Sequence, residues 1–222
     1  INNNNIMANN TPEIISTREI VQSDALTITE QHKRCGLGIS MGVGKTRIAI
    51  QHLQKYYDPL IKVLVVVPKL SVKQAWLDEL DKMNLTNLID HIDFTTYLSL
   101  KKQEPQDYSI LYLDECHSLK YSHELFLHRF YGRILGLTGT PPKSQNTEKG
   151  MMVNKYCPIK FTFTTDDATD SNILNDYKIV IHELELSKLP SLKKKNKAGG
   201  FWYTSEKKDY DYVTNRLAEA NT

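Results

Sequence analysis

The feature that most constrains this chain is the glycine-rich stretch from Ile39 to Thr46, which reads ISMGVGKT. Gly42 and Gly44 let the main chain approach an anion that any Cβ would keep away. The amides of such a loop and of the helix that follows it surround phosphate oxygens. A Lys-Thr pair then supplies a cation for the outer phosphates and a hydroxyl ligand for Mg²⁺. The stretch therefore predicts a site for a nucleotide polyphosphate and Mg²⁺.

The neighbours of this loop supply the setting that a phosphate loop requires. The loop pattern itself is incomplete, because Ile39 stands where a glycine is usual. Residues 36–40 read as a short strand that enters the loop, and residues 45–56 as a helix that leaves it. The alternative is a glycine-rich turn that happens to precede a lysine. The setting favours the phosphate loop, and its assigned residues are Met41, Gly42, Val43, Gly44, Lys45 and Thr46.

A helix is predicted upstream of the loop, over about residues 17–31. Ser16 and Glu19 form a capping-box pattern at its start. Near that start, Gln22 carries an amide that can donate a hydrogen bond to an adenine edge and accept one from it. An exposed helical glutamine is more often simply solvated, so Gln22 alone decides nothing. Residues 1–12 are Asn-rich and are expected to form a disordered, tag-like tail.

Apolar runs alternate with helical patterns along the chain. Residues 63–67 read VLVVV, an uninterrupted apolar run typical of a strand buried on both faces of a parallel sheet. A helix is predicted after it, with a capping box at Ser71 and Gln74 and with Trp76 on its inward face. Further strands are predicted at residues 91–96, 109–113 and 133–137. This order predicts an α/β protein whose parallel sheet is flanked by helices.

Two acids directly follow the strand at residues 109–113. Asp114 and Glu115 would lie at the carboxyl end of a buried strand, where open α/β sheets bind their ligands. With a phosphate loop in the same chain, Asp114 is expected to hold the water shell of Mg²⁺, and Glu115 to orient or deprotonate an attacking water. Adjacent acids that merely solvate a loop are the alternative, which the pair Lys45 and Thr46 disfavours.

Polar residues near these acids and after the next strand complete the candidate site. His117 is predicted to form a neutral polar link to another loop; a solvated loop histidine is the alternative. Thr138, Gly139 and Thr140 follow the strand at residues 133–137 and can sense a γ-phosphate through hydrogen bonds. The alternative for these three residues is an ordinary exit from a strand into a loop.

Charge and cysteine content narrow the class of protein. The net charge of +2 argues neither for nor against nucleic acid, but residues 187–222 hold eight Lys and Arg against four Asp and Glu. There, the Lys-rich segment 193–197 and the aromatic residues 201–203 could bind a single strand, although a solvated loop is the commoner case. Three scattered cysteines, with no long apolar run and no signal-peptide pattern, predict an intracellular protein outside the membrane. It would lie in the cytoplasm or nucleus, or in a host cell if viral.

The motifs fall in a recognisable order, which runs Gln22, MGVGKT, VVPK, TTY, LDECH and LTGTP. In this order they resemble the first motor lobe of superfamily-two helicases, the group that contains the DEAD/DEAH-box proteins. Met41, Trp76 and the segment Thr95–Tyr97 are most similar to the chromatin-remodeller and phage-type DNA translocases of that superfamily. The resemblance covers residues 17–142.

The resemblance implies a RecA-like P-loop NTPase fold with ATP and Mg²⁺ as cofactors. It implies that Gln22 contacts adenine, that Thr46 and Asp114 hold the metal, and that residues 138–140 couple hydrolysis to movement. The catalytic set is Lys45, Asp114, Glu115 and His117. The residues expected along a nucleic-acid backbone are Pro68, Lys69, Thr95, Thr96 and Tyr97. DNA is expected in preference to RNA, and the chain is expected to be a monomer.

The expected organisation is a motor lobe at residues 13–142, a connector at 143–175 and the beginning of a second lobe at 176–222, with a strand at 177–186. The paired arginines and the nucleic-acid motifs of a complete second lobe are missing from this sequence. We therefore expect a truncated motor that binds ATP and hydrolyses it slowly until the second lobe is added. Two alternatives stay open: a nucleotide-gated module that binds nucleic acid or protein with little hydrolysis, and the motor subunit of a restriction system.

Overall fold

The computed structural model of the chain describes residues 16–175, 192–195 and 201–203. The chain divides into two compact units, Ile1–Asp176 and Tyr177–Thr222. The expected tail at residues 1–12 and the expected strand at 177–186 lie outside the described residues.

The described part of the first unit contains six α-helices and six strands. The helices are α1 (Thr17–Gln31), α2 (Lys45–Tyr56), α3 (Lys73–Lys82), α4 (Glu124–Arg129), α5 (Glu148–Tyr156) and α6 (Thr165–Asp170). The strands are β1 (Arg34–Ile39), β2 (Val63–Val67), β3 (Ile92–Thr96), β4 (Ile110–Asp114), β5 (Arg133–Thr138) and β6 (Ile159–Phe163). None of the helices that the structure describes is both long and apolar enough to cross a membrane.

The strands of the first unit form one parallel sheet in the order β3-β2-β4-β5-β1-β6. β2 shows why a continuous apolar run is needed, because Val63, Val65 and Val67 pack on one face of the sheet and Leu64 and Val66 on the other. Side chains of α1, α2 and α3 cover the first face, and those of α4 and α5 cover the second. The predicted α/β fold, a parallel sheet flanked by helices, is confirmed.

The strand order brings three predicted motifs to one edge of the sheet. β5 lies between β4 and β1 and pairs with both in parallel, so the loops after these three strands leave the sheet side by side. The phosphate-loop stretch follows β1, Asp114 ends β4 and Thr138 ends β5. The carboxyl edge of a parallel sheet is where such folds bind ligands. The fold therefore positions the site.

The first unit extends further than the sequence predicted, because residues 143–175 do not form a mere connector. They contain α5, β6 and α6, and β6 pairs with β1 at the edge of the sheet. The Gly36 amide donates to the carbonyl of Pro158 at 2.9 Å, just ahead of this strand. Lys160 and Thr162 of β6 are exposed and its other side chains are half-buried. This edge strand thus lacks the continuous apolar signal of the inner strands.

The two predicted capping boxes differ in outcome. At α1 the box forms, since the Ser16 amide donates to Glu19 Oε2 at 2.8 Å and the Glu19 amide to Ser16 Oγ at 3.3 Å. At α3 the predicted box does not form. Residues 70–72 make a 3₁₀ turn that leads directly into the helix. The Val72 amide donates to the carbonyl of Lys69 at 3.0 Å, and the Lys73 amide donates to the carbonyl of Leu70. Gln74 donates to Asp78 at 2.8 Å within the helix.

The described strands of the second unit, β7 (Leu192–Lys195) and β8 (Phe201–Tyr203), pair in antiparallel fashion. The sequence placed residues 193–195 in a Lys-rich turn, whereas the structure places them on β7. The basic residues of β7 and the aromatic residues of β8 therefore lie on two paired strands.

A polar pair lies inside the core between α2 and the sheet. His52 Nδ1 and the Tyr112 hydroxyl are 2.8 Å apart, and both side chains are buried. Burial, together with the charges of Arg133 and Lys55, lowers the pKa of His52 from 6.5 to about 4. The folded chain therefore keeps His52 neutral well below the pH at which the unfolded chain protonates it.

This pair predicts an acid-sensitive part of the stability. As the pH falls from 6.5 towards 4, the unfolded chain should bind a proton at His52 that the folded chain does not, at a total cost of about 3 kcal/mol. Urea unfolding of the wild type between pH 7.5 and pH 4 measures this loss. The double variant His52→Leu/Tyr112→Phe, which removes both polar partners, should lose less stability over the same range. An equal loss in both proteins would contradict the assignment.

Candidate functional site

The loop between β1 and α2 has the backbone of an anion site. Gly42 and Gly44 have positive φ angles of 84° and 107°, a region that residues with a Cβ rarely adopt. Gly44 is the N-cap of α2, and it leaves the first helical amides without a side-chain cap. These amides and the positive end of the helix dipole can receive a phosphate group. The structure thus gives the Met41–Thr46 stretch the form that its sequence predicts.

Lys45 reaches the meeting point of three loops. Its Nζ lies 3.9 Å from Glu115 Oε1, and its side chain is 10% exposed. A Cβ added at Gly139 would lie 3.3 Å from the same Nζ, so the absence of a side chain there gives the lysine its room. The ammonium group therefore lies beside Glu115, which follows β4, and beside the loop after β5.

Asp114 is buried, and the chain supplies two hydrogen bonds to it. Trp76 Nε1 donates to Asp114 Oδ2 at 3.2 Å, and the Tyr97 hydroxyl donates to the main-chain oxygen of Asp114 at 2.8 Å. Burial raises the pKa of Asp114 above its ordinary value, and the charge of Glu115 raises it as well. The Trp76 bond and the charge of Lys45 oppose that rise. The Trp76 bond therefore holds the carboxylate in place, while burial makes its charged form less favourable than in water.

Glu115, the second of the two acids, is hydrogen-bonded to the end of β5 and so links the acidic motif to the loop that follows that strand. Its φ of 52° is left-handed, which is uncommon outside glycine and concentrates at functional sites. The Thr138 hydroxyl donates to Glu115 Oε2 at 3.3 Å. With a proton on Nδ1, His117 donates to Thr138 Oγ1 at 2.8 Å, and the Thr140 amide donates to the same oxygen at 3.1 Å. His117 therefore forms the predicted polar link, and its partner is the Thr138–Thr140 loop.

Gln22 lies against the phosphate loop. Its side chain is 4% exposed, and its Nε2 donates to the main-chain oxygen of Val43 at 2.7 Å. The side chain also lies where a Cβ at Gly44 would stand. Gln22 is therefore not a solvated helical glutamine, and one amide hydrogen is already used by the loop.

The chain after β6 also reaches this loop. Ser40 Oγ and Thr165 Oγ1 are 2.9 Å apart, and Leu174 Cδ2 would lie 2.8 Å from a Cβ at Gly42. Sequence reasoning assigned Thr165 and Leu174 to a connector and did not find these contacts. No local pattern in residues 143–175 points to the loop, because the contacts depend on β6 pairing with β1.

The predicted nucleic-acid residues divide by exposure. Pro68 and Lys69 are exposed at the end of β2, and Thr96 is half-buried at the end of the neighbouring β3. Thr95 and Tyr97 are buried, and the Tyr97 hydroxyl is bonded to Asp114. The side chains of Thr95 and Tyr97 are thus largely shielded from solvent, and their expected contact with nucleic acid stays a prediction.

The donor set suits Mg²⁺. Thr46 offers a hydroxyl and Asp114 a carboxylate, and Mg²⁺ is commonly bound by one or two protein oxygens together with substrate phosphates and water. Within the described part of the chain no group of three or more His, Cys, Asp or Glu could form an all-protein metal cage. One hydroxyl and one carboxylate are the kind and number of protein oxygens that fit Mg²⁺ held jointly with a nucleotide.

Trp76 belongs to this site, although sequence reasoning gave it only an inward position on a helix and a part in the resemblance. The signal was present, because a buried indole N–H needs a hydrogen-bond partner. The sequence alone did not identify Asp114 as that partner. The pairing depends on the positions of α3 and β4 in the folded sheet.

Comparison with known proteins gives a family match. The profile of the family described as Type III restriction enzyme, res subunit, matches residues 9–143, more than half of the chain. A protein of African swine fever virus named as an ATP-dependent RNA helicase, QP509L, is 30% identical over 147 residues, covering 56% of this chain and 28% of that relative. A protein of Invertebrate iridescent virus 3 named as helicase 109L is 33% identical over 92 residues, covering 41% of this chain and 27% of the relative. The chain thus spans little more than a quarter of these relatives.

Two solved structures share the fold. A nuclease-deletion mutant of the Type ISP restriction-modification enzyme LlaGI, in complex with a DNA substrate mimic, has a TM-score of 0.53 and 16% identity over 72% of this chain and 21% of its own. T4 UvsW has a TM-score of 0.51 and 16% identity over 64% of this chain and 33% of its own. At this identity the likeness concerns the fold. Together with the family match, it confirms the resemblance to the first lobe of superfamily-two helicases.

The geometry predicts that Lys45 carries nucleotide binding. Lys45→Ala should weaken ATP binding by at least about tenfold, because it removes a charged donor from the phosphate site. Lys55→Ala is the matched control, since Lys55 lies on the same helix with a side chain that is 49% exposed and paired with Glu30. Titration with a fluorescent ATP analogue compares the two variants with the wild type. Equal affinities in all three proteins would contradict the assignment.

Proposed function

Because the chain belongs to the family described as Type III restriction enzyme, res subunit, we propose that it is the ATP-binding and hydrolysing lobe of a nucleic-acid-dependent helicase or translocase. One observation carries this proposal. Lys45 lies 3.9 Å from Glu115, next to the buried Asp114, at the carboxyl edge of the sheet. A phosphate-binding cation, a metal ligand and a candidate base thus meet where a nucleotide would bind.

Binding of ATP would use the loop after β1. The amides of residues 42–46 and the Lys45 ammonium would receive the phosphates, while Thr46 and Asp114 would hold the metal. Bound Mg²⁺ would neutralise charge on the phosphate oxygens. Gln22 is proposed to contact adenine. Its hydrogen bond to Val43 holds its side chain against the loop that would bind the phosphates.

Hydrolysis would use Glu115 as the group that orients and deprotonates water. Glu115 Oε2 accepts the hydroxyl of Thr138, which in turn is bonded by His117 and by the Thr140 amide. This hydrogen-bonded chain fixes the carboxylate and ties it to the loop that would detect the γ-phosphate. Loss of the γ-phosphate would therefore change the hydrogen bonds of residues 138–140. We propose that this change couples hydrolysis to movement.

The described arginines are all engaged away from Lys45 and Glu115. Their partners are Ile173 for Arg18, Phe130 for Arg34, Glu79 for Arg47, Glu104 for Arg129, and the Tyr56 ring and His32 for Arg133. An arginine at the transition state of phosphoryl transfer is worth about 10³ to 10⁵ in rate. We therefore propose that turnover by these 222 residues is slow.

A single-turnover assay suits a slow enzyme and tests the role of Glu115. Glu115→Gln should retain binding of ATP with Mg²⁺, because the amide keeps the shape of the side chain, and should lower the cleavage rate about a hundredfold or more. Glu124→Gln is the control, since Glu124 pairs with Lys155 on the other face of the sheet. Equal loss of binding and cleavage in Glu115→Gln would make this residue a metal ligand instead of a base.

Nucleic acid is proposed to lie along the ends of β2 and β3, and DNA is proposed in preference to RNA. Lys69 supports this placement, because it is an exposed cation at the carboxyl end of β2. Phosphate contacts of this kind supply most non-specific affinity and make it salt-dependent. The competing candidate is the basic segment Lys193–Lys195 of β7.

Lys69→Ala should weaken binding to all sequences and lower the salt slope by about one unit. Replacing Lys193, Lys194 and Lys195 with alanine is the control and should change the slope little. Fluorescence anisotropy with single-stranded DNA, duplex DNA and RNA at several salt concentrations measures both. A fall confined to the triple variant would assign the nucleic-acid site to Lys193–Lys195 of β7.

A motor subunit of a restriction system is a second candidate function, and the family description favours it. In that case the lobe would move DNA for a nuclease present in the same chain or in another subunit. Identification of a nuclease or methylase segment in a longer chain or in a co-purifying subunit would decide for it.

The three cysteines, Cys35, Cys116 and Cys157, are free and buried, which suits the reducing interior of a cell.

A further inference from the structure

The environment of Asp114 contains a side chain whose placement packing alone does not explain. Trp76 is fully buried on α3, where its ring lies 5.7 Å from that of Tyr112 and 6.4 Å from that of Phe94. A phenylalanine or leucine could fill a core position without burying an N–H group. The indole N–H is instead directed at Asp114 Oδ2, at 3.2 Å.

The direction of this bond matters because Asp114 ends β4 and starts the acidic motif. Once the indole engages Oδ2, rotation of the carboxylate about its Cβ–Cγ bond is restricted, and the second oxygen has a fixed direction. Mg²⁺ tolerates little departure from octahedral geometry, so a ligand with a fixed direction is an advantage. Groups that orient a metal ligand commonly change metal affinity by 10- to 100-fold when removed.

A second donor fixes the main chain at the same residue. The Tyr97 hydroxyl donates at 2.8 Å to the main-chain oxygen of Asp114, which belongs to the peptide that leads into the left-handed Glu115. Tyr97 follows β3, while Trp76 lies on the helix that follows β2. Two separate segments thus converge on Asp114, one at its side chain and one at its backbone.

We propose that Trp76 is a positioning residue for the metal ligand: its N–H holds the Asp114 carboxylate in the orientation that receives Mg²⁺, and Tyr97 holds the peptide beside it. This inference rests on the proposed function, since it assigns a role in the binding of ATP with Mg²⁺. It also joins the metal ligand to the segments after β2 and β3, where nucleic acid is proposed to lie. Movement of the segment that carries Trp76 or of the one that carries Tyr97 would change the position of Asp114, because each segment is hydrogen-bonded directly to it.

The test measures nucleotide binding against Mg²⁺ concentration, with a fluorescent ATP analogue as the probe. Trp76→Phe should raise the Mg²⁺ concentration for half-maximal binding by about tenfold or more. Its affinity for the analogue in EDTA should stay within about twofold of the wild type, because the phosphate loop is untouched. Phe94→Leu is the matched control: it disturbs the packing of the Trp76 ring but leaves the N–H in place, so its Mg²⁺ midpoint should stay near that of the wild type.

A second replacement covers the case in which Trp76→Phe does not fold. In a Trp202→Phe background, Trp76 can be replaced biosynthetically by β-(3-benzothienyl)alanine, which has nearly the shape of tryptophan and no N–H. The same tenfold rise in the Mg²⁺ midpoint is expected from this isosteric change. In the unsubstituted Trp202→Phe protein, the fluorescence of Trp76 should respond to nucleotide with Mg²⁺ and respond much less to nucleotide in EDTA.

The outcomes separate this inference from the proposed function. A wild type whose nucleotide binding ignores Mg²⁺ would overturn both. A Mg²⁺-dependent wild type with unchanged midpoints in Trp76→Phe and in the benzothienyl protein would overturn the role of Trp76 alone. Equal losses with Mg²⁺ and in EDTA, or an equal shift in Phe94→Leu, would also overturn it, because they would make Trp76 a packing residue.

Discussion

The parallel pairing of β5 with both β1 and β4 is the constraint on which the rest of the site depends. Lys45 follows β1, Glu115 follows β4, and Thr138 ends β5 between them. Parallel strands need crossover connections, and these bring all carboxyl ends to one edge of the sheet. A slip of β5 by one residue would turn Thr138 to the other face. The 3.3 Å link from its hydroxyl to Glu115 would then be lost.

The same strand order places two neighbouring carboxylates at the edge of the sheet, an arrangement that costs free energy unless other groups compensate it. Asp114 and Glu115 are adjacent acids, and Asp114 is only 7% exposed. A buried carboxylate costs free energy unless cations or donors compensate it. Trp76 and Lys45 compensate in part, since both lower a pKa that burial and Glu115 raise. A ligand that brings further positive charge to this edge would relieve the remaining cost, so binding and folding stability are linked here.

The sequence was informative wherever the chemistry is local. The glycines before Lys45 and the apolar run at residues 63–67 predict the loop and an inner strand, because each pattern acts within a few residues of chain. The edge strand β6 was missed because its side chains alternate between half-buried and exposed. Tyr97 was expected along a nucleic-acid backbone, and its bond to Asp114 was not foreseen: the side chain is buried and its hydroxyl donates to the main-chain oxygen of Asp114. Such pairings depend on which strands become neighbours, and no local pattern records that.

The unpredicted part of the first unit changes how the site is bounded. A Cβ at Gly42 would meet Leu174, and the Ile173 carbonyl accepts a bond from Arg18 of α1 at 3.1 Å. The last described residues of this unit are therefore attached both to the phosphate loop and to the helix that carries Gln22. Because a Cβ at Gly42 would lie only 2.8 Å from Leu174 Cδ2, any side chain introduced at this glycine would require Leu174 to move. The segment that sequence reasoning treated as a connector therefore forms part of the boundary of the candidate site.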